Sequence, residues 1–314
     1  MLAPDGRPHR PRRTKLVRRT SYVLEVTEDL VAALIADQFP HWAGLSLRIL
    51  SERGTDNVNF RLGADLAVRM PRIGYAGRCI PKELRWLPVL APHLPHPLPE
   101  PVAAGRPARG YPWPWYVYRW LEGTTPPDFV LPHSDRLAQS LGRWVRALHN
   151  IDPRGGPPAG AQNGHRGSRL SKRDAFVRWA IDTRAAPRDN QEMLDVWRAS
   201  LVTPAWKATP VWVHGDLAPG NVVLEDDDLA GVIDFGALAV GDPAVDLMVA
   251  WNFPEPQRSL FREEVGVDEE TWRRGRGAAF FQWIGAYDCD VPDREATQVI
   301  ERILADHRGE RSDG

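Results

Sequence analysis

The 314-residue sequence predicts an α+β fold in two lobes, the first rich in strands and the second rich in helices. Short strand patterns crowd between Leu45 and Leu121, and helical spacing dominates beyond them. The two kinds of element segregate along the chain instead of alternating, which argues against a doubly wound sheet. With 43% hydrophobic and 26% charged residues, the chain has the composition of an ordinary globular protein and can bury a core in each lobe.

The elements follow in order. Residues 1–20 carry Arg7, Arg10, Arg12, Arg13, Lys15, Arg18 and Arg19, and are expected to form a solvated, disordered basic tail. An arm for an anionic partner is the functional alternative. Thr27 reads as a helix N-cap, with Glu28 and Asp29 in the first turn. Leu30, Val31, Leu34, Ile35 and Phe39 recur at helical spacing, so a helix should run over 28–39 and stop at Pro40. Leu45–Glu52 alternates apolar and polar residues, and Arg53-Gly54-Thr55-Asp56-Asn57 reads as a turn. Val58–Leu62 and Leu66–Met70 flank Gly63-Ala64-Asp65, a tight hairpin signal. Pro81 is expected to open a helix carrying Glu83, Leu84, Trp86 and Leu87, and Pro88 to kink or end it. Residues 92–114 read as a proline-rich connection. Trp115–Leu121 is β-branched and aromatic, a buried strand. The lobe boundary is placed at its end, giving an N-terminal lobe over 21–121 and a C-terminal lobe over 122–314.

In the second lobe Leu137, Leu141, Val145 and Leu148 form a buried helical face. Residues 153–168 are a Gly/Pro-rich loop, and helices are expected at 172–184 and 190–201. Val211–Val213, Val222–Leu224 and Leu229–Ile233 read as strands. Helices should close the chain at 243–252, 257–264, 269–287 and 293–306. No internal repeat is visible.

The formal net charge of −1 provides no global field toward nucleic acid or a membrane surface. No run approaches the roughly 18 apolar residues of a membrane helix. Cys79 and Cys289 give neither zinc spacing nor a disulfide framework. These features suit a cytoplasmic monomer or homodimer with reduced thiols, bound to neither membrane nor nucleic-acid polymer.

The densest polar cluster is Val211-Trp212-Val213-His214-Gly215-Asp216-Leu217-Ala218-Pro219-Gly220-Asn221-Val222-Val223-Leu224. Apolar residues bury both of its ends and pack a carboxylate and an amide between them. Ile233-Asp234-Phe235-Gly236 follows, again with an aspartate at the end of an apolar strand. Phosphoryl transfer needs a group that orients the attacking hydroxyl and accepts its proton, and hard oxygen ligands for Mg²⁺. Asp216 is placed for the first role. Asn221 and Asp234 are placed for the second, because an amide oxygen and a carboxylate suit that ion. His214-x-Asp216 with Asp234 could instead form a hydrolase metal cluster, but such sites recruit more histidines than this spacing supplies.

His-Gly-Asp-x-x-x-x-Asn, Ile-Asp-Phe-Gly and Gly241-Asp242-Pro243-Ala244-Val245-Asp246-Leu247 occur in this order, and together they resemble the aminoglycoside phosphotransferase family. The resemblance covers roughly residues 25–305 and implies a bilobal protein-kinase-like fold. It also implies ATP or GTP as co-substrate with Mg²⁺, and a small hydroxylated molecule as acceptor. Asp216 is then the catalytic base, Asn221 and Asp234 hold the metal, and Asp242 and Asp246 brace the catalytic loop. His214 would pack behind Asp216, with a proton-shuttling role as the alternative.

In the first lobe, Ser51–Asn57 stands where kinases carry a glycine-rich loop, with Gly54, Thr55 and Asn57 as nucleotide-binding candidates. Arg69 occupies the usual lysine position, with Glu83 as its partner; an arginine grips phosphate with a different geometry. Strand 115–121 matches the family's inter-lobe hinge, where backbone groups of Arg119, Trp120 and Leu121 would meet the adenine edge. The aromatics Trp113, Trp115, Tyr116, Tyr118 and Trp120 are expected mainly as core.

An aminoglycoside-like or other sugar-bearing antibiotic leads as acceptor, and a small metabolite such as a sugar, choline or homoserine is the alternative. Acids that could hold a polycation are Asp182, Asp189, Glu192, Asp288, Asp290 and Asp293, near Trp179, Trp197 and Trp283 in sequence. A catalytically silent nucleotide-binding protein is the reading from another class, prompted by Arg69 and the glycine-poor loop.

Overall fold

The computed structural model describes residues 23–51, 56–126, 131–184, 190–285, 287 and 294–312. The basic tail lies outside this set, as do Gly54, Thr55, Asp189, Cys289, Asp288, Asp290 and Asp293.

Five strands form one antiparallel sheet in the order β1-β2-β3-β5-β4. They are β1 (Leu47–Ser51), β2 (Asn57–Leu62), β3 (Leu66–Pro71), β4 (Pro101–Gly105) and β5 (Trp115–Arg119). Helix α1 (Glu28–Gln38) begins where Thr27 Oγ1 accepts from the Leu30 N–H at 3.3 Å. It packs Val31, Leu34 and Ile35 against Val68 and Met70 of β3 and Trp115 and Val117 of β5. Strand side chains alternate between faces. Ala67, Tyr116 and Tyr118 therefore face the other way, onto Ile80 and Leu84 of α2 (Gly74–Leu90). The same alternation sends Arg69, centrally paired with Asn59 and Tyr116, to the α2 side.

Helix α2 departs from the sequence expectation. It starts seven residues before Pro81 and contains both Pro81 and Pro88. The two prolines are exposed and lie on one face, seven residues apart. The opposite stripe is buried twice over, with Ile80 in the sheet's cluster and Leu87 and Leu90 in the core of the second lobe. Packing on that stripe outweighs the local cost of the prolines. The supposed connection 92–114 contains β4, an edge strand whose first residue is Pro101, a position where no ladder N–H is required. Trp115, Tyr116 and Tyr118 are core, whereas Trp113 and Trp120 are only half-buried.

After β5 the chain crosses to the second lobe. Gly123 makes the crossing with φ +118°, and a side chain there would strike the Leu224 carbonyl at 2.5 Å. Thr124 then exchanges two backbone hydrogen bonds with Leu224. The second lobe comprises α3 (Asp135–His149), α4 (Asp174–Arg184), α5 (Asn190–Val202), α6 (Gln257–Val265), α7 (Glu269–Ile284) and α8 (Arg294–Ser312), with a 3₁₀ segment over Pro243–Asn252. The expected stripe Leu137, Leu141, Val145 and Leu148 is fully buried. Each such side chain contributes about 1.5–3 kcal/mol relative to exposure.

Two small antiparallel pairs are set into these helices: β6 (Val211–Val213) with β9 (Ala239–Gly241), and β7 (Val222–Glu225) with β8 (Asp228–Val232). β9 is too short to announce itself in sequence. The turns joining β6 to β7 and β8 to β9 lie side by side, tied by the Ile233 N–H donating to the Asn221 carbonyl at 2.9 Å. Among the described residues, no helix is long and apolar enough to cross a membrane.

Candidate active site

A cleft of about 290 Å³ between the lobes is lined by Asp56, Asn57, Arg69, Tyr75, Arg166, Arg173, Asp216, Asp234 and Phe281, among others. The β6–β7 turn supplies Asp216 and Asn221. Gly215 allows this turn, with φ +82° and the Ala237 carbonyl 2.7 Å from where a Cβ would stand. Asp246, fully buried, accepts from the His214 N–H at 2.9 Å and the Gly215 N–H at 2.8 Å, and lies 3.1 Å from His149 Nε2. Asp242 acts one step further out. It caps the 3₁₀ segment through the Ala244 N–H at 3.0 Å and pairs with Arg274 of α7 at 2.8 Å.

His214, which the sequence offered as a packing residue with proton shuttling as the alternative, sits behind Asp216. Its ring is fully buried against Phe235, at 4.7 Å between centroids. Nδ1 accepts from the Asp216 N–H at 3.2 Å, and Nε2 donates to the Ile233 carbonyl at 3.0 Å. Both nitrogens are occupied, so the ring ties the Asp216 turn to the Asp234 turn and has none left to shuttle a proton.

Asp216 Oδ1 lies 3.0 Å from Arg166 Nη2 but is not aligned with it as a hydrogen bond, so the oxygen retains room to accept one. Asn221 donates Nδ2 to the Asp216 carbonyl at 2.8 Å, which orients the amide and leaves its oxygen as a ligand. Asp234 sits in the left-handed region, at φ 62°, and its Oδ1 accepts from Arg69 Nη2 at 2.6 Å. That leaves Oδ2. Two hard oxygens from neighbouring turns suit a Mg²⁺ ion whose other ligands are phosphate oxygens and water.

Arg69 is buried and bridges two carboxylates. Its Nε lies 3.0 Å from Glu83 Oε2, its Nη2 lies 3.3 Å from Glu83 Oε1, and Nη2 also reaches Asp234. The Tyr116 hydroxyl donates to Glu83 Oε2 at 2.8 Å. Burial opposes charge on Asp234, yet the Arg69 charge and hydrogen bond hold its pKa below the ordinary value. Burial likewise works against the Arg69 cation, and Asp234 and Glu83 outweigh it. Lys82, unremarked in sequence, donates to the Gly236 carbonyl at 2.8 Å and ties α2 to the Asp234 turn.

In the hinge segment, two backbone N–H groups are engaged within the first lobe. The Arg119 N–H already donates to the Glu100 carbonyl at 3.1 Å, and the Trp120 N–H to the Asp65 carbonyl at 2.9 Å. Neither N–H is open to a base. The acceptor-side acids are corrected. Asp182 is exposed on α4, Glu192 pairs with Arg308 at 2.7 Å, and neither lines the cleft. Trp197 is core and donates its ring N–H to Asp174 at 2.8 Å. Beside Asp216 the cleft instead presents Arg166, Arg173 and Tyr75. The signal that could have found the arginines is the short basic run Arg166, Arg169, Lys172 and Arg173 at the end of the Gly/Pro-rich loop.

The model of the phosphotransferase enzyme family matches residues 47–279. A homoserine kinase of Granulibacter bethesdensis is 27% identical over 253 residues, covering 73% of this chain and 70% of that protein. Among solved structures, the GDP complex of an aminoglycoside 2'-phosphotransferase-IIIa superimposes with TM-score 0.69 at 22% identity, covering 90% of this chain and all (100%) of that one. A macrolide 2'-phosphotransferase from Brachybacterium faecium gives TM-score 0.58 at 25% identity, over 82% of this chain and 89% of that one.

Proposed function

The chain belongs to the phosphotransferase enzyme family, and from that premise we propose that it transfers the γ-phosphoryl group of ATP or GTP to a hydroxyl of a small metabolite, with Asp216 as the base. One observation carries the reading: the carboxylate of Asp216, with an acceptor site unfilled, faces the same cleft as Asp234, and Asn221 is oriented beside them.

The acceptor hydroxyl donates to Asp216 Oδ1. Its oxygen bonds the γ-phosphorus as the bond from that phosphorus to the β,γ-bridging oxygen breaks. The proton passes to Asp216 and the nucleoside diphosphate leaves. Bound Mg²⁺, held by Asn221 Oδ1 and Asp234, would neutralise charge on the phosphates. Arg69, already fixed by Glu83, presents its guanidinium toward the same phosphates. Asp246 and His214 hold the base in place through the backbone. The base of the nucleotide would meet the carbonyl edge of Arg119 and Trp120 and the backbone of Leu121.

The metabolite reading stands ahead of the aminoglycoside one on two counts. Arg166 and Arg173 face the cleft beside Asp216, and the relative from Granulibacter is named for homoserine, a small hydroxy amino acid. L-Homoserine is therefore the first acceptor to assay. Asp216→Asn should reduce turnover about 10²–10⁴-fold while the affinity for Mg·ADP stays within error of wild type. A variant that keeps near-wild-type turnover would remove Asp216 from the role of base.

A further inference from the structure

We infer that the acceptor carries an anionic group, a carboxylate or phosphate close to the reacting hydroxyl, and that Arg173 with Arg166 selects it. This rests on the phosphotransferase reading above.

Arg166 and Arg173 both stack on Phe281 of α7, their guanidinium carbons 5.8 and 4.4 Å from the ring centre. Arg166 is held on two sides, by Gln282 Oε1 at 2.7 Å and by the Asp216 carboxylate. Among the described residues Arg173 is held by the Gly164 carbonyl and the ring face. Among the described residues no carboxylate pairs with it, and the neighbouring charge it feels is that of Arg166. The pair thus sets two half-buried cations beside Asp216, in a cleft that Asp56 also lines. An arrangement of this kind is unfavourable when empty and is relieved by an anion. The Tyr75 hydroxyl lies on the same wall; burial pushes its pKa up to about 12, so it remains a neutral donor.

Position assigns this anion site to the acceptor and not to the nucleotide. Arg173 lies in the segment leading into α4 and packs on Phe281 of α7, both in the second lobe, whereas Arg69 stands on β3 of the first. Arg166 on that wall also meets the Asp216 carboxylate, so a hydroxyl served by that base reacts beside the arginines. A polycation would meet two like charges there. A hydroxy acid or sugar phosphate would meet two planar forks suited to bidentate binding.

The test uses the full-length protein saturated with Mg·ADP and titrated calorimetrically with inorganic sulfate. Sulfate should bind, and Arg173→Gln should weaken it about 10- to 100-fold with Mg·ADP affinity unchanged. Arg173→Lys should restore part of the loss, which separates charge from folding. Absence of sulfate binding, equal binding to wild type and Arg173→Gln, or a parallel loss of Mg·ADP affinity would overturn the proposal. A second arm compares turnover of L-homoserine with its carboxamide, glycerate with glycerol, and kanamycin as a polycation. The anionic member of each pair should be preferred, and Arg173→Gln should narrow the ratio. Preference for the neutral members or for kanamycin would also overturn it. ADP release with no compound and not with water, alongside Arg173-dependent sulfate binding, would sink the phosphotransferase reading and leave the anion site standing.

Discussion

Replacing Arg69 by methionine should lower stability more than any exposed substitution, because of what it strands. Glu83 is fully buried, and its carboxylate has two described partners, Arg69 and the Tyr116 hydroxyl. Methionine fills similar space and removes the cation, leaving a buried carboxylate with one neutral donor. Breaking a buried pair in this way costs about 3–5 kcal/mol. At about 2–4 °C per kcal/mol, the melting temperature should fall by roughly 6–20 °C. The Glu83→Gln/Arg69→Met double variant should recover part of that loss, since the stranded charge is gone. Arg69→Lys should lose less than Arg69→Met, because the charge stays although one ammonium cannot reproduce the fork that spans Glu83 and Asp234. Thermal unfolding followed by tryptophan fluorescence reads all four proteins. An Arg69→Met protein melting within about 2 °C of wild type would refute the view that this cluster anchors α2 to the Asp234 turn.

Two further outcomes follow from the same geometry. Asp246→Asn turns an NH₂ toward the His214 or Gly215 N–H, so it should cost roughly 1–3 kcal/mol and speed hydrogen exchange at these two amides; unchanged exchange would argue against Asp246 as the brace. Asp234 has its pKa lowered from 3.8, so its pair with Arg69 stabilises fully above that value and loses its contribution as pH falls through the lower folded one. The melting-temperature gap between wild type and Arg69→Met should therefore narrow as the pH falls, since the stranded Glu83 of the variant is relieved by protonation and Asp234 loses its pairing in acid; a gap that widens there contradicts the assignment.

Much of the reactive centre was legible because it is local. Asp216, Gly215 and Asn221 share one turn, and Asp234 closes the next strand, so spacing alone implied their roles. Asp246 came instead from the resemblance carried by Gly241–Leu247, since its partners lie 32 and 31 residues earlier. The segregation of strands and helices was equally plain.

Sequence by itself therefore determined the segregation of strands and helices and singled out Asp216, Asn221 and Asp234 as a polar cluster at the ends of apolar strands, because each reading depends on short-range pattern. Tertiary structure decided the rest. It carried α2 through two prolines, because burial of one stripe in two cores outweighs local propensity. It placed β4 at an edge that tolerates Pro101. It occupied both nitrogens of His214 and made that residue a brace. It also brought Arg166 and Arg173 onto Phe281, more than a hundred residues away in the chain, and so put positive charge beside Asp216. Contacts of that range have no period and no fixed spacing, and only the packing of the folded chain brings them together.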